Sequence, residues 1–326
     1  MKIIKHREKL YFFIIFHGIF SYLYSYLEKM LSQNIRDKMD ALRQEYANLS
    51  YENATYLKEI ALAEIPEMVY NSNAIENSTL SLEDTEKILA NGELDRSVNI
   101  REVFEAKNLA EITESLLETP NHKLTPKLIL DLHKKLLTSI DNSIAGRWRS
   151  GKEWVRVGNH LGANPLFVPS LMEELVAEYN NDTGAYFLDK IAHFHAEFET
   201  IHPFVDGNGR MGRLLINLQL MQLGLPPIIV QNKSKRSDYY PLFSNYQVKM
   251  NYNGFSQLFA SLLMESLHKR ITLLTAKRII PLSLWAKNKE IKGNIAANKA
   301  KRQTIPAFRM KGKWMIDEGF EENVGK

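Results

Sequence analysis

Twelve consecutive residues, His202-Pro203-Phe204-Val205-Asp206-Gly207-Asn208-Gly209-Arg210-Met211-Gly212-Arg213, constrain this chain more than any other stretch. Before them, Phe187, Ile191, Phe194, Phe198 and Ile201 step by four, three, four and three, the spacing of one helix face. After them, a nearly unbroken apolar run from Leu214 to Leu223 is closed by Gly224 and Pro226, a buried helix with a stop. The twelve residues therefore join two helices. Their glycines fall where the second helix begins, so unpaired N–H groups and the positive end of the helix dipole point into the loop. That makes an anion site, which glycines let the backbone approach closely. Asp206 beside such a loop suits Mg²⁺, an ion that takes one or two carboxylates plus phosphate oxygens. Arg210 and Arg213 share a helix face and can grip phosphate oxygens as forks. His202 can take a proton from an attacking hydroxyl near neutral pH. Each element alone reads as a tight turn or a core histidine; together they describe phosphoryl-type transfer.

The string resembles the signature of Fic-domain proteins, HPFx[D/E]GNGRxxR, at every fixed position. The resemblance implies a mainly α fold: a Fic-type helical bundle with a small β-hairpin flap. It implies transfer of AMP from ATP, with Mg²⁺, to a Ser, Thr or Tyr hydroxyl of a target protein. His202 would be the base and Asp206 the Mg²⁺ ligand. Gly207, Asn208 and Gly209 would form the phosphate nest, with Phe204 among the nucleotide-binding residues. Arg210 would hold the γ-phosphate, and Arg213 would help neutralise phosphate charge.

A second stretch gains meaning from the first. Ser72-Asn73-Ala74-Ile75-Glu76-Asn77 alone reads as a polar helix end, but it is similar to the inhibitory pattern [S/T]xxxE[G/N] of one Fic subclass. By that resemblance Glu76 would pair with Arg210, occupy the arginine needed for the γ-phosphate and repel the nucleotide, while Ser72 braces the helix or the glutamate. The same glutamate could orient a water for removing AMP, and the sequence leaves both uses open. The flap expected beside the site maps to Glu153–Val157 and Leu166–Val168, both of strand-like pattern, with His160 and Leu161 as target-contacting residues. Tyr239 and Tyr240 are candidates for stacking on adenine, with core packing the alternative; Asn245 is a weaker candidate.

The rest bounds the protein. Cysteine is absent, which excludes disulfides, thiolate zinc sites and cysteine nucleophiles and fits a reducing, cytoplasmic setting. Residues 1–29 form a basic-then-apolar leader, read as a mis-assigned start ahead of Met30 before a membrane anchor over residues 10–27. Residues 30–118 form an N-terminal helical region carrying the inhibitory motif, 119–275 the catalytic core, and 276–326 a basic appendage. Pro66 is expected near a helix start. Between Leu284 and Lys313 nine Lys and Arg face one acidic residue, Glu290. A helix followed by a ribbon there resembles a winged helix-turn-helix that could contact DNA through residues 284–316, or cap the enzyme as a solvated surface. Competing functions are AMP removal and a nucleotide-sensing DNA-binding regulator. Self-modification and a homodimer are further expectations from the resemblance.

Overall fold

A computed structural model describes residues 31–120, 123–157 and 160–322; the leader expected over residues 1–29 lies outside them. Helices α1 (Gln33–Ser50), α2 (Ala54–Ile75), α3 (Leu82–Leu89), α4 (Ile100–Glu118) and α5 (Pro126–Leu136) come first. A two-stranded antiparallel hairpin follows, β1 (Arg156–Val157) and β2 (His160–Leu161). Then come α6 (Val168–Asn181), α7 (Phe187–Ile201), α8 (Asn208–Gln222), α9 (Tyr240–Lys249) and α10 (Asn253–Thr275). The chain closes on β3 (Ile279–Pro281), α11 (Leu282–Asn288), α12 (Gly293–Lys301), β4 (Phe308–Met310) and β5 (Lys313–Asp317).

Helices α7 and α8 are the axis, because both of their faces are buried. On α7, Leu188, Ile191 and Ala196 join a core with α1 and α10, while Phe194, Phe198 and Ile201 join another with α2, α4, α5 and α6. On α8, Ile216 and Leu220 face the first core, and Met211, Leu215 and Leu218 the second. A helix covered all round has no polar face to expose, hence the near-continuous apolar run. The loop between these two helices is thus held by the best-packed part of the molecule.

Local signals act as chemistry demands. Ser81 and Asp84 form a reciprocal capping box on α3, and Thr125 caps α5 with Pro126 at its first position. Two expectations fail. Pro66 lies in the middle of α2 rather than near its start; Ile65, Met68 and Val69 are buried on either side of it, and that packing holds the helix through a residue that lacks an N–H. Leu166 and Phe167 belong to a 3₁₀ turn that leads into α6 at Val168, because Asn164 caps it and Pro165 sets its first φ.

The C-terminal segment has its own small core of Ile280, Leu282, Trp285, Ala296, Ile305 and Ile316. Its sheet has the order β3-β5-β4, all antiparallel, and the element order is strand, two helices and a hairpin. Its charges are largely taken up: Lys289, Lys299, Lys301, Arg309 and Lys311 pair with Glu321, Glu322, Asp238, Glu265 and Glu86.

Candidate active site

The loop begins with a break in the backbone. His202 ends α7 in the left-handed region at φ 53°, and Gly207 opens α8 at φ 82°. Between them Asn208 spans the turn: its Nδ2 donates to the Phe204 carbonyl at 2.8 Å, and its Oδ1 accepts from the Phe204 N–H at 2.9 Å. The Asn208 side chain is therefore a brace, and only its N–H faces an anion. Phe204 is fully buried, stacked on His133 at 3.6 Å between centroids and 5.0 Å from Trp148. It anchors the loop in the core and borders neither of the two cavities described below, where a nucleotide contact was expected, because its ring is packed on His133 and Trp148. His133 accepts from the Gly146 N–H through Nδ1, so its Nε2–H donates to the Asp206 carbonyl at 3.0 Å. Burial pushes this imidazole down to about 4, keeping it neutral as that tautomer requires.

Above the loop the N–H groups of Asn208, Gly209 and Arg210 have no helical acceptor, since they open α8. Asp206 stands beside them. Burial works to raise its carboxyl, but the Arg210 and Arg101 guanidiniums and the Gly207 N–H outweigh it and hold it below the ordinary carboxylate range. Arg210 is buried and reaches Asp206 at 3.1 Å and Glu105 at 3.0 Å; Arg101 also pairs with Asp206, and with Glu105 at 3.0 Å. These four groups form a closed charge ring between α4 and the loop.

Glu76 is not part of that ring. It caps the C-terminal end of α2 and pairs with Arg213, Oε1 to Nη2 at 2.8 Å, not with Arg210 as expected. The reason is geometric: Arg210 is enclosed by Glu105 and Asp206, whereas Arg213, three residues on, faces the end of α2. Ser72 braces the arginine rather than the glutamate, with its Oγ accepting from Nε at 3.1 Å and its carbonyl from Nη2 at 2.8 Å. The end of α2 is itself capped from outside. Lys235 Nζ donates to the carbonyls of Ala74 and Ile75 at 2.8 and 3.0 Å, and the Tyr240 hydroxyl donates to Ile75 at 2.8 Å.

His202 sits where two cavities meet. One, of about 630 Å³, is bounded by Asp206, Gly209, Arg210, Arg101 and the Asn77–Thr79 turn. The other, of about 580 Å³, is bounded by Arg213, Tyr239, Tyr240, Phe243, Ser244 and Gln247. Glu76 and Asn77 border both. Burial pushes His202 down to about 4, with Arg149 and His160 adding to it against the carbonyl and carboxylate of Glu199 and Glu76, so its imidazole is neutral at physiological pH. Tyr239 is a core residue, fully buried and sharing a 2.8 Å hydrogen bond with His195; Tyr240 is the exposed one of the pair. Asn245 does not border the cavity, and the neighbouring Ser244 and Gln247 do, because α9 turns its other face inward. In the flap, His160 Nε2–H donates to the Thr200 carbonyl at 2.8 Å, fastening β2 to α7, and Leu161 is exposed.

Two site residues had no signal of their own in the sequence. Arg149, fully buried, donates to the carbonyls of His202 at 2.7 Å and Ile201 at 2.9 Å and also reaches Ala163, so one side chain ties the flap to the end of α7. Glu199, three residues before His202, lines the second cavity with a nearly buried carboxyl. Among the described residues no cluster of three metal-ligating side chains occurs. One carboxylate beside an anion nest fits a hard cation that arrives with phosphate oxygens.

An anion nest, a neutral buried imidazole and two arginines at the mouth of a helical bundle define a phosphate-handling domain. Residues 123–220 match the Fic/DOC family, and the chain is a Fic-domain protein. It is 32% identical over 225 residues to protein adenylyltransferase fic-1 of Caenorhabditis elegans, covering 67% of this chain and 42% of that protein. It is 30% identical over 227 residues to protein adenylyltransferase Fic of Drosophila persimilis, covering 66% and 41%. The chain thus spans about two fifths of the length of the curated relatives it matches. Among solved structures it resembles a Fic domain-containing signalling protein from Bacteroides thetaiotaomicron (TM-score 0.65, 25% identity, 72% of this chain and 96% of that one). It also resembles residues 134–508 of C. elegans Fic-1 (TM-score 0.63, 26% identity, 74% and 72%).

Proposed function

We propose that this protein is an adenylyltransferase that moves AMP from ATP to a hydroxyl of a target protein, and that Glu76 restrains it. One observation carries the reading: a neutral His202 stands at the junction of an anion nest and a cavity with exposed Tyr240, the two halves a nucleoside triphosphate needs. His202 accepts the proton of the target hydroxyl; that oxygen bonds to the α-phosphorus; the bond to the bridging oxygen breaks, and pyrophosphate leaves. The N–H groups of Asn208, Gly209 and Arg210 stabilise charge that grows on the α-phosphoryl oxygens. Asp206 would hold Mg²⁺, which supplies charge neutralisation on the phosphates. Glu76 keeps Arg213 from those phosphates and places a negative charge where theirs would lie.

The test compares the unmodified protein, Glu76→Gly, and Glu76→Gly with His202→Ala, using labelled ATP and reading label on the protein itself and on added cell extract. Glu76→Gly should label at least ~10-fold faster, and removal of the base should lower that rate by ~10²–10⁴-fold. A silent Glu76→Gly that still binds Mg²⁺-ATP overturns the reading. AMP release from a modified protein is then measured first. The regulator reading is supported by the strand–helix–helix–hairpin order of the tail and opposed by its five ion pairs. A salt-dependent DNA shift lost on truncation after residue 275 decides it. Analytical ultracentrifugation decides the homodimer, and label on the isolated protein decides self-modification.

A further inference from the structure

We propose that Glu199 is the positioning residue of the base: its carbonyl fixes the proton of His202 on Nδ1 and leaves the Nε2 lone pair for the incoming hydroxyl, and its carboxyl faces the charge that forms. The inference rests on the reading of His202 as the base, and on geometry that reading does not use.

Glu199 occupies the last turn of α7. Its side chain is 9% exposed, and its Oε1 is buried with no hydrogen-bond partner. An unpartnered buried oxygen forfeits the hydrogen bonds it had in water, so this one destabilises the fold. The neighbouring backbone nevertheless leaves room for it. A Cβ at Gly212 would fall on Glu199 Oε1, as one at Gly209 would fall on Glu76 Oε1. Two glycines one turn apart on α8 therefore make room for two carboxylates, one from the restraining helix and one from the helix of the base.

The second oxygen of Glu199 points at the base. Oε2 lies 3.8 Å from His202 Nδ1, and the carbonyl of the same residue accepts from Nδ1–H at 3.3 Å. Both groups facing Nδ1 belong to Glu199, and the carbonyl can only accept, so Nδ1 carries the proton and Nε2 the lone pair. When Nε2 takes a proton, the imidazole becomes cationic in a buried place that Arg149 already makes positive. The acidic groups facing it are Glu76 and Glu199, and the first must leave Arg213 for the site to work. Glu199 stays, because its helix is the one covered on both faces.

The ionisable groups around Glu199 are His195 on its own helix, Arg213 on α8, Glu76 on α2, Tyr239 ahead of α9 and His202 itself; Arg149 and His160 lie beyond the imidazole. Burial, helped by Glu76 and opposed by Arg213, pushes the Glu199 carboxyl up to about 8. Removing Glu76 leaves Arg213 to draw that carboxyl toward its ionised form, the form that favours a cationic His202.

The experiment uses the full chain carrying Glu76→Gly, with Glu199→Gln or Glu199→Leu added. Labelling at varied ATP should show kcat at least ~10-fold lower in both variants, with KM for ATP within about twofold. Glu199→Leu, which removes an unpartnered oxygen, should melt no lower than its parent, whereas a merely structural glutamate would lower the melting temperature when lost. Nitrogen-correlated imidazole spectra followed against pH should show His202 as the Nδ1–H tautomer in every variant, since the backbone carbonyl is retained, and should show it taking up its second proton at lower pH in Glu199→Leu than in the parent. That spectrum needs no activity, so a parent that fails to label would overturn the proposed function and leave this inference to the spectra. A kcat within about twofold of the parent, or an unchanged His202 titration in Glu199→Leu, overturns it.

Discussion

Arg210 and Arg213 stand one turn apart on the same helix, and the molecule treats them differently. Arg210 is enclosed by Asp206 of its own loop and Glu105 of α4, and Arg101 completes the ring. Its partners belong to the frame. Arg213 is equally buried, but its carboxylate partner comes from the end of α2 and is 42% exposed. That end is held by one lysine and one tyrosine hydroxyl. A contact made by a helix terminus with an exposed partner can be exchanged for phosphate oxygens at modest cost; a closed ring between packed elements cannot. The difference teaches that identical side chains in one motif can serve as fixed scaffold and as switch.

Four outcomes sharpen or break that contrast. In the Glu76→Gly protein, Arg210→Ala should lower labelling by ~10²-fold, the usual loss when a site is displaced by about an ångström, because Asp206 loses a partner that fixes it; the readout is labelled ATP. Survival of full activity would mean that the ring is no part of the site. Next, Gly207→Ala should cost ~1–2 kcal/mol in chemical denaturation, because φ is 82° there and a Cβ would press on Leu136 and Leu137 at 3.3 Å. An unchanged midpoint would show that the loop is looser than its frame.

Third, Lys235→Ala in the otherwise unmodified protein should raise basal labelling ~5-fold, since hydrogen bonds worth ~1 kcal/mol hold the end of α2. A fall instead would place Lys235 with Arg210 in the scaffold. The last outcome concerns pH. Burial holds His133, His195, His202 and His268 at about 4, 3, 4 and 4, against an ordinary 6.5. The unfolded chain takes up those protons first, so their contribution to stability is present above pH 6.5 and lost as pH falls toward 4. Glu199 acts oppositely, its contribution present below pH 4.5 and lost as pH rises through about 8. Melting temperatures should therefore decline on the acid side from pH 6.5 to 4. A flat profile would mean that the histidines are hydrated when folded.

Where a residue's role was set by its neighbours in sequence, it was legible. His202, Asp206 and the glycines lie within a few residues of one helix start, so spacing alone placed imidazole, carboxylate and nest together. The capping boxes, the α7 face and the buried α8 were readable for the same reason: helix periodicity is local physics. Where a role depended on which distant element packs alongside, sequence was silent or wrong. It named Glu76 as the partner of Arg210, because nothing in the string says that α4 already surrounds that arginine. It left Tyr239 and Tyr240 between adenine stacking and core packing, because aromatic rings look alike until burial separates them. It passed over Arg149, whose meaning comes from the carbonyls it meets after the chain has turned back on itself, and over Glu199, three residues before His202, whose burial only packing reveals. By itself, then, the sequence determined the chemistry that could occur at the loop. Only tertiary packing decided which arginine is clamped and which is restrained, because those choices are made by contacts between residues more than a hundred positions apart.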